Sequence, residues 1–267
     1  MKKSAGFLVV AFLLVLSVSA SAMAGQVLDR IIKKGELTVG MSTDFPPLHV
    51  KDKDGQIIGL DADLAKAIAM AMGVKPKIVT MRFYDLLPAL QAGKVDMVIS
   101  GMTITPERNL KVAFVGPYFI SGQAILAKHE TVLKLNQKKD VESLEFNLAV
   151  PKGSTSEAIA KAILPRASII VTETMGQGLD MVITGKADAL MADKPYCVVA
   201  SFRNKDKNLE VSETFTYEPL GIALSGDDSH LINWMENFLM AIQGNGTLEK
   251  LTKFWFTDPV WMQHLAN

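Results

Sequence analysis

Two stretches of the chain, one in each half, repeat the same order of local signals. Gln91–Ile99 and Ile183–Met191 each end a helical pattern with Gly-Lys, enter an apolar strand through an aspartate, and leave it at a polar turn. Strands that alternate with helices indicate a parallel sheet. Because the pattern occurs twice, it predicts two α/β lobes of similar build whose strand ends meet at a common cleft.

The first half alternates strand and helix patterns. The predicted strands and helices are Glu36–Met41, Asp61–Met72, Lys77–Met81, Tyr84–Gln91 and Val95–Ile99. Asp61 is the expected N-cap of its helix, which Gly73 ends. Ligands bind at the carboxyl edge of open α/β sheets, so the loop that holds Phe45 and the turn after Ile99 are expected at one site.

The N-terminus has the pattern of an export signal. Lys2 and Lys3 precede an apolar core, Phe7–Val18, and Ala22–Ala24 matches a cleavage site. We therefore expect residues 1–24 to be a signal peptide and the mature chain to be exported to the periplasm. The alternative is a retained N-terminal anchor, although the apolar core is short for a membrane span.

The composition indicates which binding partners are expected and what must stabilise the fold. The chain has 28 basic and 28 acidic residues, and removal of the signal peptide takes away Lys2 and Lys3. The mature chain therefore has a net charge of about −2, and we expect no nucleic-acid partner. Cys197 is the only cysteine, so the chain has no internal disulfide and its stability must come from a hydrophobic core. A mature length of about 240 residues suits one large domain or two lobes of roughly 100 residues each.

The turn after the strand Val95–Ile99 has the residue types of a carboxylate site. Gly101 allows a ligand to approach the backbone closely. Thr103 offers a hydroxyl and an N–H, and Arg108 can donate two parallel hydrogen bonds to a carboxylate. The alternative is a surface arginine after a Thr-Pro turn.

The second half of the chain contains a helix whose predicted N-terminus could bind an anion. Ser154 and Glu157 have the spacing of a capping box, and the helix that they open directs free N–H groups and a positive dipole end outward. Thr155 beside them is either a helix cap or a ligand contact, and the two roles can coexist.

The sequence does not show the residue spacings that are typical of catalytic or metal-binding sites. The four histidines are scattered without metal-ligand spacing, Cys197 has no adjacent histidine, and there is no phosphate-binding loop. We expect no metal and no cofactor.

Six motifs, in their order and spacing, resemble the periplasmic polar-amino-acid-binding proteins of ABC importers, the solute-binding proteins of family 3. They are Phe45–Leu48, Gly59–Ala65, Ser100–Arg108, Phe114–Tyr118, Gly153–Glu157 and Ala187–Asp193. The resemblance implies the α/β type II periplasmic binding fold, in which two lobes, each a mostly parallel sheet flanked by helices, are joined by two hinge strands. It implies lobe 1 at 25–120 and 218–267 and lobe 2 at 121–217, with crossings near Ser121–Ile125 and Glu218–Ile222.

The resemblance also assigns roles at the anionic end of an amino-acid ligand. Arg108 would pair with the α-carboxylate, and Thr103 and the region of Thr155 would donate to the same group.

At the other end of the ligand, Asp193 would accept the α-ammonium with help from the Gly101 carbonyl, and Phe45 would stack on the side chain. Asp193 could instead be a helix N-cap, and Phe45 could belong to the core. An amino acid that bridges the two lobes would favour the closed state.

Two residues depart from the family pattern and bear on the ligand. Leu60 stands where an aromatic is usual, and Ser42 stands where members that bind cationic amino acids carry an acid, with Asp44 in a different register. A neutral polar or modestly apolar ligand is therefore expected over a cationic one.

The resemblance implies a monomer, without enzymatic activity, that passes its amino acid to a membrane ABC permease. Two rival functions share the fold. Cyclohexadienyl dehydratases use a general-acid glutamate three residues past the Asp193 position, where this chain has Tyr196. Ligand-sensing modules are the second alternative, and they are usually fused to a membrane span.

Overall fold

The computed structural model describes residues 25–136 and 145–265, so the predicted signal peptide lies outside the described residues. The first part of the chain alternates strand and helix as predicted. Its elements are α1 (Gln26–Lys34), β1 (Glu36–Met41), β2 (Asp44–Phe45), β3 (His49–Lys51), β4 (Ile57–Ile58), α2 (Leu60–Ala71), β5 (Lys75–Thr80), α3 (Leu86–Gln91), β6 (Met97–Val98), α4 (Pro106–Asn109) and β7 (Ala113–Ser121).

The rest of the chain builds a second sheet and then returns to the first. The elements of the second sheet and its helices are β8 (Gln123–Lys128), α5 (His129–Asn136), β9 (Asn147–Pro151), α6 (Thr155–Ile163), β10 (Ser168–Thr172), α7 (Met175–Ile183), β11 (Ala189–Asp193), α8 (Lys194–Arg203) and β12 (Leu209–Val211). The returning elements are β13 (Glu218–Leu224), α9 (Ser229–Gly244) and α10 (Thr247–Thr257). Short 3₁₀ helices cover Phe83–Asp85, Lys205–Lys207 and Pro259–His264.

The two five-stranded sheets have matching layouts. Their strand orders are β5-β1-β6-β13-β7 and β10-β9-β11-β8-β12. In each sheet four strands point the same way, and only the fourth in the order, β13 or β8, runs against them. The two copies of the repeated sequence pattern contain β6 and β11, and each of these is the central strand of its sheet. The copies therefore occupy equivalent places in the two lobes. The predicted fold class, a two-lobed type II α/β fold with mostly parallel sheets and hinge strands, is confirmed.

The chain passes between the sheets at two adjacent segments. β7 ends at Ser121 in the first sheet, and β8 begins at Gln123 in the second. Ser121 pairs with Glu218, the first residue of the returning strand. A Cβ atom on Gly122 would lie 2.7 Å from the Thr216 carbonyl oxygen, so a glycine allows the two connections to run side by side.

Two local predictions were wrong. Asp61 does not cap its helix, which begins at Leu60 after Gly59 without a side-chain cap; the Asp61 carboxylate makes longer-range hydrogen bonds described below. The predicted helix Tyr84–Gln91 is divided into a 3₁₀ turn and α3. Pro88 has no N–H to donate to the Tyr84 carbonyl, so the α-helix starts late enough to place this proline in its first turn.

Apolar side chains on the sheets form the core. Leu37, Val39 and Met41 of β1 and Leu126 of β8 are fully buried, and each such side chain contributes about 1.5–3 kcal/mol relative to an exposed one. Across residues 25–136 and 145–265, no helix combines the length and apolarity required to cross a membrane.

Candidate ligand-binding cleft

A cleft between the two lobes contains all six residues predicted for the site. It holds about 460 Å³ of space not filled by protein atoms, part of it open to solvent. The residues that line it are Ser42, Asp44, Phe45, Phe83, Gly101, Thr103, Arg108, Pro151, Lys152, Ser154, Thr155, Glu173, Thr174, Met175 and Asp193. Both sheets contribute, because the loops at their strand ends face each other.

Arg108 reaches from one lobe to the other. Thr105 caps its short helix by accepting from the Arg108 N–H at 3.2 Å. The guanidinium donates to the Thr103 carbonyl at 2.9 Å and to the Gly153 carbonyl at 3.1 Å. Burial lowers the pKa of Arg108, and the negative charges of Glu218 and Asp193 oppose that shift. The arginine is therefore held partly desolvated at the cleft, where it can pair with a carboxylate.

Ser154 and Glu157 both cap the start of α6, although the Glu157 contact falls one residue before the N-cap that a regular capping box would use. Ser154 Oγ accepts from the Glu157 N–H at 3.1 Å, and Glu157 Oε2 accepts from the Gly153 N–H at 2.7 Å. Thr155 is thus the first helical residue and not the cap. Its Oγ1 accepts from Gln123 Nε2 at 3.2 Å, which places this hydroxyl and the helix N-terminus on the cleft wall.

Asp193 ends β11 and is 6% exposed. Its carboxylate accepts from Ser121 Oγ at 2.6 Å and from Gln123 Nε2 at 3.3 Å, and it makes no cap to α8. Burial raises the pKa of Asp193 to about 6, with a further contribution from the Glu218 charge, while these two hydrogen bonds and Arg108 act in the opposite direction. A cation that reaches this carboxylate would meet a poorly solvated acceptor.

Sequence reasoning missed the three residues around Asp193. Ser121 and Gln123 flank the first crossing, and their pairing with Asp193 spans 72 and 70 positions. Glu218 is 3% exposed, and its Oε2 finds no hydrogen-bond partner in the described part of the chain. The polar residues at the predicted hinges were the available signal, since hinge segments border the cleft in a two-lobed fold.

The Phe45 ring packs so closely against Gly101 that no side chain would fit at that position. Gly101 has φ +56°, and a Cβ atom there would lie 2.6 Å from Phe45 Cε1. Phe45 is 2% exposed but still lines the cleft. A second aromatic residue, Phe83, also lines it and lies beneath the Arg108 guanidinium, 5.5 Å from Cζ to the ring centroid. Leu60 is fully buried and does not line the cleft.

A buried polar network lies directly beneath the cleft. Asp61 accepts from the Gly101 N–H and the Tyr118 hydroxyl, each at 2.8 Å, and contacts His49 Nδ1 at 2.8 Å. His49 Nε2 lies 2.6 Å from Ser42 Oγ. Burial and the Asp61 charge hold the pKa of Tyr118 well above its usual value. Sequence reasoning missed this network because it treated Asp61 as a cap and His49 as isolated.

The order serine, histidine, aspartate is also that of a nucleophilic triad, but the backbone N–H groups of Ser42 and Gly101 are not free to stabilise an oxyanion. The Ser42 N–H donates to Ser100 Oγ at 2.9 Å, and the Gly101 N–H donates to Asp61. Acyl transfer needs free donors beside the nucleophile.

Cys197 is fully buried and burial raises its pKa, which suits a structural thiol. The described residues contain no group of three or more His, Cys, Asp or Glu that could hold a metal ion.

Contacts at the cleft mouth join the two lobes. Tyr84 donates to Glu173, whose carboxylate also lies 3.5 Å from Lys152 Nζ. Deeper in the cleft, Asp44 Oδ2 accepts from the Met175 N–H at 2.9 Å. The lobes therefore face each other in a closed arrangement.

A larger groove, about 1500 Å³ including open solvent, lies elsewhere on the surface. Its lining is mostly apolar and includes Phe119, Phe202, Tyr217 and Trp255. It lacks the opposed guanidinium and carboxylate of the cleft, so we assign the polar ligand site to the smaller space.

A two-lobed type II fold with charged groups of opposite sign on facing walls is the arrangement expected of a solute-binding protein. The chain belongs to the bacterial extracellular solute-binding proteins, family 3, whose sequence profile matches residues 37–258. It is 33% identical over 228 residues to the arginine-binding extracellular protein ArtP of Bacillus subtilis, covering 84% of this chain and 87% of that protein. It is 31% identical over 217 residues to a glutamine-binding protein of Geobacillus stearothermophilus, covering 79% and 80%.

Solved structures are similar over most of their length. A putative ABC-transporter binding component from Wolinella succinogenes, complexed with lysine, has 37% identity and a TM-score of 0.80, covering 86% of this chain and 99% of that one. An ancestral amino acid-binding protein, described as a precursor of cyclohexadienyl dehydratase, has 42% identity and a TM-score of 0.79 with the same coverage. The family and these named relatives are binding proteins.

Proposed function

We propose that this protein captures one amino acid between its two lobes and delivers it to the permease of an ABC importer. The observation that carries the proposal is that Arg108, in the segment after β6, and Asp193, at the end of β11, line one cleft although these central strands belong to different sheets. A zwitterion placed there satisfies both charges, and closure strengthens both interactions because it lowers the local dielectric.

The proposed contacts follow from the groups on each wall. The α-carboxylate accepts from Arg108, from Thr103 and from the α6 N-terminus at Thr155. The α-ammonium donates to Asp193 and to the Gly101 carbonyl.

At the remaining end of the ligand, the side chain packs on Phe45. The six residues of this proposal are those predicted from the sequence, and its support is that all of them border the same space.

We extend the proposal to the organisation of the chain. The lobes would be 25–120 with 218–267, and 121–217, a division supported by the sheet membership of the strands. The protein would act as a monomer in the periplasm after removal of residues 1–24. The extracellular description of the family supports this location.

Thermal-shift measurements of the mature protein against the twenty common amino acids test the function. A ligand at 100 times its dissociation constant should add about 2.7 kcal/mol to the free energy of unfolding. The Arg108→Ala variant is the matched control and should lose the shift. Absence of any shift in the unmodified protein would refute the proposal.

The dehydratase alternative is less favoured. Tyr196 occupies the general-acid position and is buried on α8, and burial raises its pKa further from the range useful for donating a proton. Incubation with prephenate or arogenate, followed by chromatography, should give no aromatic product above the uncatalysed background. Enzyme-dependent product formation would revive the alternative.

A further inference from the structure

Glu218 is a buried carboxylate at the second crossing between the lobes. It is 3% exposed, and its Oε2 has no hydrogen-bond partner within residues 25–136 and 145–265. It pairs with Ser121 across the antiparallel strands β7 and β13, and directly opposed residues project from the same face of a sheet. The Ser121 hydroxyl donates to Asp193 at 2.6 Å. The Glu218 side chain therefore leaves its strand on the side where Asp193 lies.

The strand that carries Glu218 also contacts the turn that leads to Arg108. Pro219, the next residue along the strand, accepts from the Ile104 N–H at 2.8 Å. Ile104 precedes Arg108 by four positions in the segment after β6. The start of β13 is thus bonded on one side to the crossing that reaches Asp193 and on the other to the turn of Arg108.

The charge of Glu218 acts on both charged groups of the proposed site. Burial lowers the pKa of Arg108, and among the charges that oppose this shift Glu218 has a larger effect than Asp193. Burial raises the pKa of Asp193, and the Glu218 charge adds to that shift. One guanidinium therefore faces two carboxylates, and the three groups carry a net charge of −1 when both acids are ionised.

We propose that Glu218 is a specificity-determining residue that makes the cleft reject carboxylic acids without an α-ammonium group. The rejected class comprises 2-hydroxy and 2-oxo acids. Such an anion would pair with Arg108 but would leave Asp193 and Glu218 uncompensated in a buried site, whereas the ammonium group of an amino acid offsets their charge. The inference rests on the proposed function, because it takes Arg108 as the partner of the ligand carboxylate.

The other titratable groups near Asp193 are neutral at the relevant pH. Tyr118 faces it from β7 and Cys197 faces it from α8. Burial raises the pKa of both side chains, so both remain uncharged between pH 5 and pH 8. The charges that act on Asp193 in this range are therefore those of Glu218 on β13 and Arg108 on α4.

Calorimetric titration at pH 8 with two matched probes tests the rejection. The probes are the L-amino acid that gives the largest shift in the thermal screen and the L-2-hydroxy acid with the same side chain. Glu218→Gln removes the charge and keeps the shape of the side chain. It should weaken the amino acid and strengthen the hydroxy acid, so that the ratio of the two affinities falls by about tenfold, the effect of one charge several ångströms away.

The outcomes separate this inference from the proposed function. Competition against the amino acid measures a hydroxy acid that binds too weakly for direct titration. An unchanged ratio, or an equal loss of affinity for both probes, would overturn the role of Glu218 and leave the proposed function intact. Binding of no amino acid by the unmodified protein would refute both.

The pH profile gives a second readout, which a purely structural role of Glu218 would not move. Without the Glu218 charge, Asp193 should ionise at lower pH. The loss of amino-acid affinity between pH 8 and pH 5 should therefore be smaller in Glu218→Gln than in the unmodified protein. An identical loss in the two proteins would overturn the electrostatic role.

Control variants distinguish charge from shape and from loss of structure. Glu218→Asp keeps the charge and should retain most of the discrimination, whereas the same ratio as in Glu218→Gln would count against an effect of charge. Glu210→Gln neutralises a glutamate on β12 whose side chain is 42% exposed, and it should leave both affinities unchanged. Thermal unfolding without ligand confirms that each variant is folded, and Glu218→Met gives a second uncharged variant if Glu218→Gln does not fold.

Discussion

Ionisation of Asp193 should make ligand binding depend on pH. Burial raises the pKa of this carboxyl to about 6 in the unliganded protein. At pH 8 it is almost fully charged, whereas at pH 5 only about one tenth is charged. An α-ammonium group requires the charged form, so binding at acidic pH must first release a proton. The apparent affinity should therefore fall about tenfold from pH 8 to pH 5.

The same linkage predicts the stability effect of the ligand. Because the folded-state pKa lies above the ordinary value of 3.8, the unliganded fold loses stability as pH rises from about 4 to 6, by up to ~3 kcal/mol for a shift of this size. The α-ammonium compensates the charge of Asp193 and removes this loss. The ligand-induced thermal shift should accordingly be larger at pH 8 than at pH 5.

Calorimetry at pH 5, 6, 7 and 8 with the strongest ligand of the amino-acid screen measures this linkage. Titrations at pH 5 in buffers of different ionisation enthalpy should show release of nearly one proton on binding. Asp193→Asn should bind weakly at every pH, whereas the exposed Asp54→Asn control should keep the profile of the unmodified protein. An affinity that is constant from pH 5 to pH 8, or that rises toward acidic pH, would refute the role of Asp193.

Three further substitutions test separate parts of the cleft. Arg108→Ala should cost about 2–5 kcal/mol of binding free energy by calorimetry, since the ligand carboxylate loses its partner, while unfolding stays cooperative; near-normal affinity would contradict this. Gly101→Ala should destabilise the fold by about 1–3 kcal/mol in urea and weaken binding, because positive φ and contact with Phe45 both oppose a Cβ atom; an unchanged midpoint would be inconsistent with the close approach. Ser154→Ala should cost about 0.5–2 kcal/mol of stability through loss of the α6 cap, and an unchanged urea midpoint would show that the cap contributes nothing.

Local patterns were sufficient for the plan of the fold and for the candidate residues. The Gly-Lys-x-Asp signal located β6 and β11, which are the central strands of their sheets. Ser154 formed the predicted cap, and Glu157 bonded to the neighbouring Gly153, because capping depends on residues three or four positions apart. Arg108 could be selected because its turn follows a buried strand, and strand ends define one edge of a sheet.

Contacts between distant segments could not be predicted in this way. Asp61 has the position of a helix cap in the sequence, yet its carboxylate bonds to Gly101 and Tyr118, 40 and 57 positions away. Likewise, Ser121 reaches Asp193 only because the first crossing lies beside the end of β11. Hydrophobic periodicity reports which face of one element is buried and carries no information about the polar group that faces it from another element.

Short-range patterns in the sequence therefore predicted two α/β lobes and the turn that holds Arg108, and the resemblance to a known family completed the six residues that border the cleft. Only the tertiary structure decided which polar atoms pair beneath and beside that cleft, including the partners of His49 and the raised pKa of Asp193. The physical reason is that burial and hydrogen-bond geometry arise when strands from different parts of the chain become neighbours.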